Sequence, residues 1–270
     1  MIVHGMPDHE YHAQPGLSST GARALLKAPA LFLHELTAGR EGKRSFDVGH
    51  AAHAKILGVG SGTITYPAEH ITPSGAVSTS KATVAWAEQQ RAAGLVPVSA
   101  QDVVAVDGMA EAVLADADAR AVLEGAAGRE VSIFAEVDGV PVRARFDILG
   151  DGVGGDLKTA RDASPRGFNR AVGDHGYHVQ QQWYDDAHLA AVGSRLTDFR
   201  FIVVEVTAPY LVGVYDLDLM WMDAAARAAQ KARARWRECV QSGVWPAYGA
   251  TTLTAPTWAV YDDEEMELKL

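Results

Sequence analysis

The sequence has a single cysteine, Cys239, in 270 residues, which excludes an internal disulfide framework and an iron–sulfur cluster held by this chain alone. It has no run of 18 apolar residues and no charged-then-apolar leader. Neither a membrane-spanning helix nor a signal peptide is therefore expected, and the chain reads as a soluble intracellular protein with no membrane role. It also lacks an excess of positive charge. Twenty-four Lys and Arg stand against 34 Asp and Glu, a net charge of −10, whereas long-range attraction to phosphate ordinarily comes from surplus cations. Part of that deficit is local: Asp262, Asp263, Glu264, Glu265 and Glu267 lie in a terminal stretch, 262–270, expected to be a solvated acidic tail. Acids in a metal site are, moreover, neutralised when a cation binds. No internal repeat and no linker-like segment interrupts the chain, and its 48% hydrophobic content suffices for a real core. One domain over 1–270 is expected, entered through an irregular lead-in at 1–16.

What is there is concentrated in residues 130–158. Asp138-Gly139 is a two-residue turn of the kind that needs positive φ at both central positions. Counting outward from Val137 and Val140, the antiparallel register sets Ala135 against Val142, Ile133 against Ala144, Val131 against Phe146 and Glu130 against Asp147. One face is then wholly apolar, and the other holds Glu130, Ser132, Phe134, Glu136, Arg143, Arg145 and Asp147. Two carboxylates facing each other at ~5 Å repel, and a proton, an arginine or a bound cation must offset that cost. After the Gly150-Asp151-Gly152 turn, a short strand carries Asp156 and Lys158 on one face and Leu157 on the other. Three acids and a lysine at strand ends suit a hard divalent cation such as magnesium, with the amine left to act on water or phosphate. The same residues also fit a solvated hairpin whose acids pair with Arg143 and Arg145.

The rest of the chain supplies candidates for the same site. In a helix over 46–57, Phe46, Gly49, His53, Ile56 and Leu57 share a face, and His53 reads either as a hydrogen-bonded core histidine or as a ligand. His50 and His53 lack the H-E-x-x-H spacing of zinc proteases. Tyr177, Gln180, Tyr184 and Ala187 share another helical face, where a glutamine in an apolar stripe needs a partner, structural or substrate. Arg161, Arg166 and Arg170 follow the Asp156 strand, with Ser164-Pro165 opening a short helix; they either touch phosphates or balance the local acids. Further helices are expected at 17–27, ended by Pro29, at 81–93, and at 99–124, the last with Ser99 and Asp102 as its cap. Residues 58–80 read as a surface excursion with a short strand at 63–66. Strands are expected at 199–206 and 210–218, followed by a helix at 219–241. Its Arg227, Lys231, Arg233, Arg235 and Arg237 are spread around it as a solvated face, and extended segments at 245–248 and 256–258 close the fold.

In order along the chain, Gly49-x-x-x-His53, Asp147, Asp156-x-Lys158 and Gln180-x-x-x-Tyr184 resemble the motifs of the PD-(D/E)XK nuclease superfamily in its RecB-type branch. The Leu17-Ser18-Ser19 start, the spacing from Ala163-Ser164-Pro165 to Tyr177 and the hairpin from Val204 to Tyr210 are similar to the RecE-type (exonuclease VIII-like) phage and prophage exonucleases, and the resemblance covers most of 17–258. It implies an α/β fold with a restriction-endonuclease-like core, a mixed central β-sheet flanked by helices. It implies a metal-dependent deoxyribonuclease, active in the bacterial host cytoplasm. Such an enzyme degrades one strand of linear double-stranded DNA, 5′ to 3′, and leaves 3′ single-stranded tails for recombination.

By the same resemblance, His53, Asp147, Asp156 and the backbone carbonyl of Leu157 hold one or two Mg2+ or Mn2+ ions, with Glu130 a further ligand or base. Lys158 orients or deprotonates the attacking water, Gln180 contacts the DNA strand and Tyr184 is a support or stacking residue; Arg161, Arg166 and Arg170 remain candidates for phosphate contact on their position alone. The implied partners are double-stranded DNA ends, further copies of the chain in a ring (trimer or tetramer) and a single-strand annealing protein. The alternatives are a nuclease of this fold with another polarity or endonuclease activity, and a non-catalytic DNA-end-binding recombination scaffold.

Overall fold

The computed structural model describes residues 1–38, 44–256 and 259, with backbone alone at 44–46. The Phe46 side chain, Trp258 and the acidic stretch at 262–270 lie outside the described residues. The lead-in, expected to be irregular, forms β1 (Ile2–Val3) and α1 (Asp8–Ala13). β2 (Leu17–Ser18) runs into α2 (Ser19–Lys27), where the Ser18 hydroxyl accepts the Gly21 N–H as N-cap. Pro29 ends that helix by forcing Ala28 into extended geometry, then opens α3 (Pro29–Ala38).

α4 (Arg44–Leu57) carries His53. The Gly- and Ser-rich excursion contains β3 (Thr63–Thr65), which after α5 (Lys81–Ala92) pairs in parallel with β4 (Val96–Val98) as a separate two-stranded sheet. The single helix expected over 99–124 is two: α6 (Ala100–Ala115), opened by a reciprocal Ser99–Asp102 capping box, and α7 (Ala117–Glu124). Asp116 breaks it, because an extended Asp whose carboxylate caps the Ala119 N–H competes with helix continuation.

β5 (Gly128–Val137), β6 (Val140–Leu149) and β7 (Val153–Ala160) follow, then α8 (Pro165–His175), α9 (Tyr177–Val192), β8 (Asp198–Glu205), β9 (Val212–Tyr215) and α10 (Leu219–Ser242). The Asp138-Gly139 turn has φ of 52° and 72°, and the β5–β6 ladder keeps the expected register from Val137–Val140 out to Val131–Phe146. The main sheet runs β1-β5-β6-β7-β8-β9, with β2 beside β6. β7 and β8 are parallel while β5, β6 and β7 alternate, so the expected α/β architecture with a mixed central sheet is the one observed.

Helices cover both faces. One core joins Val131, Ala144, Phe146, Phe168, Trp183 and Phe201, and the other joins Met109, Val113, Ile148, Leu157 and Ile202. Among the described residues no helix is long and apolar enough to cross a membrane.

Two departures from regularity open a space in this sheet. β6 and β7 pair only at Ile148–Gly155 and Leu149–Gly154, whereas β7 stays on β8 from Val153–Asp198 to Ala160–Glu205. The two strands therefore diverge past Gly155, and further along β6 the place of β7 is taken by β2, at Val142 and Arg143. The pleat also breaks at this point. Phe146 and Ile148, two apart on one strand, belong to opposite cores, and across from them Glu130 has a left-handed backbone, φ 52°. A non-glycine residue held there costs on the order of 1 kcal/mol or more, and such strain tends to collect at functional sites.

Of the α10 cations expected to form a solvated face, Arg227, Lys231 and Arg237 are exposed, but Arg233 is not. Arg233 is buried, 2.8 Å from both Asp138 and Asp186. Arg235 donates to the Leu25 and Leu26 carbonyls, Arg237 donates to the Asp138 carbonyl, and Arg227 pairs with Asp223. The periodicity placed these charges around the helix but not their long-range partners, and three of them tie α10 to the hairpin turn and to the end of α2.

Candidate active site

The gap between β6 and β7 is spanned by Asp147 and His53. Asp147 Oδ2 accepts the Leu157 N–H at 2.8 Å, standing in for the strand partner that the divergence removed. From α4, His53 Nε2 lies 2.7 Å from the Leu157 carbonyl and 3.3 Å from Asp147 Oδ2, while its Nδ1 lies 2.9 Å from the Gly49 carbonyl. Each of these neighbours accepts, so both ring nitrogens donate and the ring is an imidazolium. Burial lowers the His53 pKa, but Asp147, the Gly49 carbonyl and Asp156 outweigh it and bring the value to about 9. Burial likewise works against ionised Asp147, yet His53, Lys158 and the Leu157 N–H hold its carboxyl below the usual carboxylate range.

Asp156 and Lys158 stand beside this pair on β7. Asp156 is 2% exposed, and burial, reinforced by Asp147 and opposed by Lys158, pushes its carboxyl up. Two neighbouring acids whose surroundings drive their pKa values apart are a common mark of a chemical site. Asp156 Oδ2 forms an ion pair with the Lys158 ammonium yet accepts no well-formed hydrogen bond. Gln180 then ties the group together. Its Nε2 donates to Asp156 Oδ1 and, at 3.2 Å, to the Tyr184 hydroxyl, while its Oε1 accepts from Lys158 at 3.1 Å.

Gln180 and Tyr184 are buried, and Tyr184 packs on Phe146 with ring centroids 4.7 Å apart. Both line the cleft, with the Gln180 amide bonded within the protein to Asp156, Tyr184 and Lys158.

Glu130 sits at the rim, turned to Arg145 as an ion pair. Arg145 also lies 3.8 Å from Asp8 and packs over the Tyr11 ring. Burial and Asp147 raise the Glu130 pKa against the opposing effect of Arg145. Arg143 is spent on α1, donating to the carbonyls of Tyr11, His12 and Gln14.

His53, Asp147, Asp156, Lys158, Gln180, Tyr184 and Glu130 line one cleft of about 320 Å3. Arg161, Arg166 and Arg170 are exposed and do not line it. The reason is helical: Phe168 and Val172 turn α8 inward, which leaves Arg166 and Arg170, one turn apart, on the opposite side. Among the described residues, the Lys and Arg side chains that do line the cleft are Arg23, Arg145 and Lys158. Sequence reading missed Arg23, whose hydrogen bond to the His175 carbonyl crosses 152 residues and leaves no local pattern.

Among the described residues, no three His, Cys, Asp or Glu side chains converge as a ready metal cage. Magnesium does not need one, since it keeps several waters and takes one or two carboxylates. Buried Asp156, partly buried Asp147, a main-chain carbonyl at an open strand edge and a carboxylate oxygen lacking a hydrogen bond form a donor set that fits such an ion. The His53 imidazolium and the Lys158 ammonium pair with the two acids.

No protein of curated function matches the sequence. A crystal structure described as a putative exonuclease from Eubacterium rectale superposes with a TM-score of 0.62 at 11% identity, covering 97% of this chain and 100% of that one, a likeness of fold. The profile of a family described as a PDDEXK-like domain of unknown function (DUF3799) matches residues 18–254, and with that span the chain belongs to this nuclease-like family.

Proposed function

We propose that this protein is a divalent-metal-dependent deoxyribonuclease of RecE type, degrading one strand of linear duplex DNA from its 5′ end. The observation that carries the reading is the Asp147 carboxylate, which joins His53 of α4 to the open edge of β7 directly beside Asp156 and Lys158. His53, Asp147, Asp156 and the Leu157 carbonyl would hold magnesium or manganese, with Glu130 joining them when Arg145 releases it. When bound, such an ion supplies a Lewis acid at the scissile phosphate. Gln180 fixes the Asp156 carboxylate and the Lys158 amine relative to each other. Lys158 orients the attacking water and takes its proton, which an ammonium-type side chain can do after losing its own proton and a guanidinium cannot. Magnesium-dependent release of nucleotides from linear duplex, absent with chelator and absent on covalently closed circles, tests the reading. Cutting of closed circles would point instead to an endonuclease.

Arg166 and Arg170, outside the cleft, would meet phosphates flanking the cut. Replacing both by alanine is expected to weaken duplex binding and to flatten its salt dependence, by about 0.9 in log–log slope for each phosphate no longer neutralised. An unchanged slope would remove them from the DNA path. Assembly of several copies in a ring would gather such exposed cations around one channel and offset the net charge of −10, with a strand-annealing protein taking up the tail.

The imidazolium sets the pH behaviour. In the folded protein His53 titrates at about 9, above the 6.5 of a free histidine. Its contribution to stability is therefore fully present below pH 6.5 and lost as the pH rises through about 9. A cation at the same point competes with that proton, so magnesium affinity is expected to rise over the same window. Metal-free urea midpoints at pH 6.5 and 9.5, with magnesium titrations at both, check this. Affinity that falls with pH, or stability that rises across the window and does so equally in His53→Asn, would contradict it.

A further inference from the structure

The Lys158 nitrogen has three close neighbours. Two are the Asp156 carboxylate and, at 3.1 Å, the Gln180 carbonyl oxygen; the third is the face of Tyr177, whose ring centroid lies 4.6 Å away. Tyr177 and Gln180 are three residues apart at the start of α9 and so project from one side of that helix. The lysine is thus held by an acid on its own strand and, independently, by two residues of one helix turn.

The acid is the neighbour it stands to lose, because in the function proposed above Asp156 turns to the cation. The helix pair then remains. Tyr177 is built to stay in place: its ring stacks on Phe168 at 5.9 Å and 23°, and packs near His175 at 5.4 Å and Phe201 at 6.2 Å. The negative face of such a ring attracts an ammonium, and the nitrogen can still donate an N–H to the Gln180 oxygen after one proton has left.

We propose that Tyr177 is a positioning residue for Lys158, its ring face and the Gln180 carbonyl fixing the lysine nitrogen once Asp156 engages the cation. The inference rests on the nuclease reading. The ring, and not the hydroxyl, carries the effect. Tyr177→Phe should therefore lose less than about threefold in kcat, whereas Tyr177→Leu should lose about 5- to 30-fold in kcat with KM within about twofold.

Nucleotide release from linear duplex measures this. In the metal-free protein, the Lys158 Cε protons, assigned with Lys158→Arg, should be shifted upfield by the ring in wild type and Tyr177→Phe but not in Tyr177→Leu. If Tyr177→Leu fails to fold, Tyr177→Met keeps the volume without the ring. Wild-type kcat in the leucine variant, equal losses in Phe and Leu, or a loss confined to KM would each overturn the assignment. An active wild type whose Lys158 protons are unshifted overturns the clamp alone. An inactive wild type with shifted protons overturns the nuclease reading, and the clamp loses its purpose with it.

Discussion

Lys158→Ala is expected to lower nucleotide release by about 10²- to 10⁴-fold, the range over which a positioned general base acts, and to leave the fold intact. The first half follows from geometry: among the described residues Lys158 is the one lysine lining the cleft, and it sits between the two groups, Asp156 and Gln180, that fix its position. The second half needs an argument, since removing one partner of a buried ion pair usually costs about 3–5 kcal/mol through the charge left behind. Here the cost is smaller, because burial has already pushed Asp156 up and its carboxyl takes a proton in place of the lost ammonium. The Gln180 amide still holds the other oxygen. The melting temperature should therefore fall more at pH 8 than at pH 6. Lys158→Arg separates charge from proton transfer: the guanidinium keeps the positive charge but cannot release a proton at working pH, so it should be nearly as inactive as alanine. Arginine activity close to wild type would show that the charge alone suffices.

Asp147→Asn should be comparably inactive, losing on the order of 10³-fold, since an amide is a far poorer donor to a hard cation and several kcal/mol of charge stabilisation go with it. It also has a signature that needs no substrate. The amide oxygen can still accept the Leu157 N–H, so the strand edge stays satisfied, but the negative charge that holds the proton on His53 is gone. Asp147 is the strongest influence raising that pKa. The His53 titration, followed by NMR in the metal-free protein, should drop from about 9 toward the ordinary histidine range. A value that stays near 9 would mean that Asp147 is not the partner of His53, and the site would have to be redrawn.

Much of this was legible in the residues because it rests on short-range rules. The Asp138-Gly139 turn fixes the β5–β6 register, the register fixes which side chains share a face, and alternation along 156–158 places Asp156 and Lys158 together with Leu157 turned to the opposite core. What local rules cannot see is where a strand leaves its neighbour. The divergence of β6 from β7, the left-handed Glu130 and the reversal of faces between Phe146 and Ile148 are set by packing of two different helix layers on one sheet. They decide that Glu130 turns to Arg145 and that Asp147 meets the Leu157 N–H. The arginines escaped local rules for the same reason: the long-range partners of Arg23, Arg233 and Arg235 lie 47 to 210 residues away, and Arg166 and Arg170 were expected near the site from sequence proximity that α8 turns outward.

The central claim is that one cation is shared by Asp147, Asp156 and the main chain of Leu157, with His53 at its edge. A crystal of the protein soaked with manganese and a short duplex tests it most directly. The account predicts an anomalous peak within roughly 2.0–2.6 Å of an oxygen from each of Asp147, Asp156 and Leu157, with the DNA end lying over Lys158. A peak held by other residues, or none at millimolar manganese with the duplex bound, would contradict it.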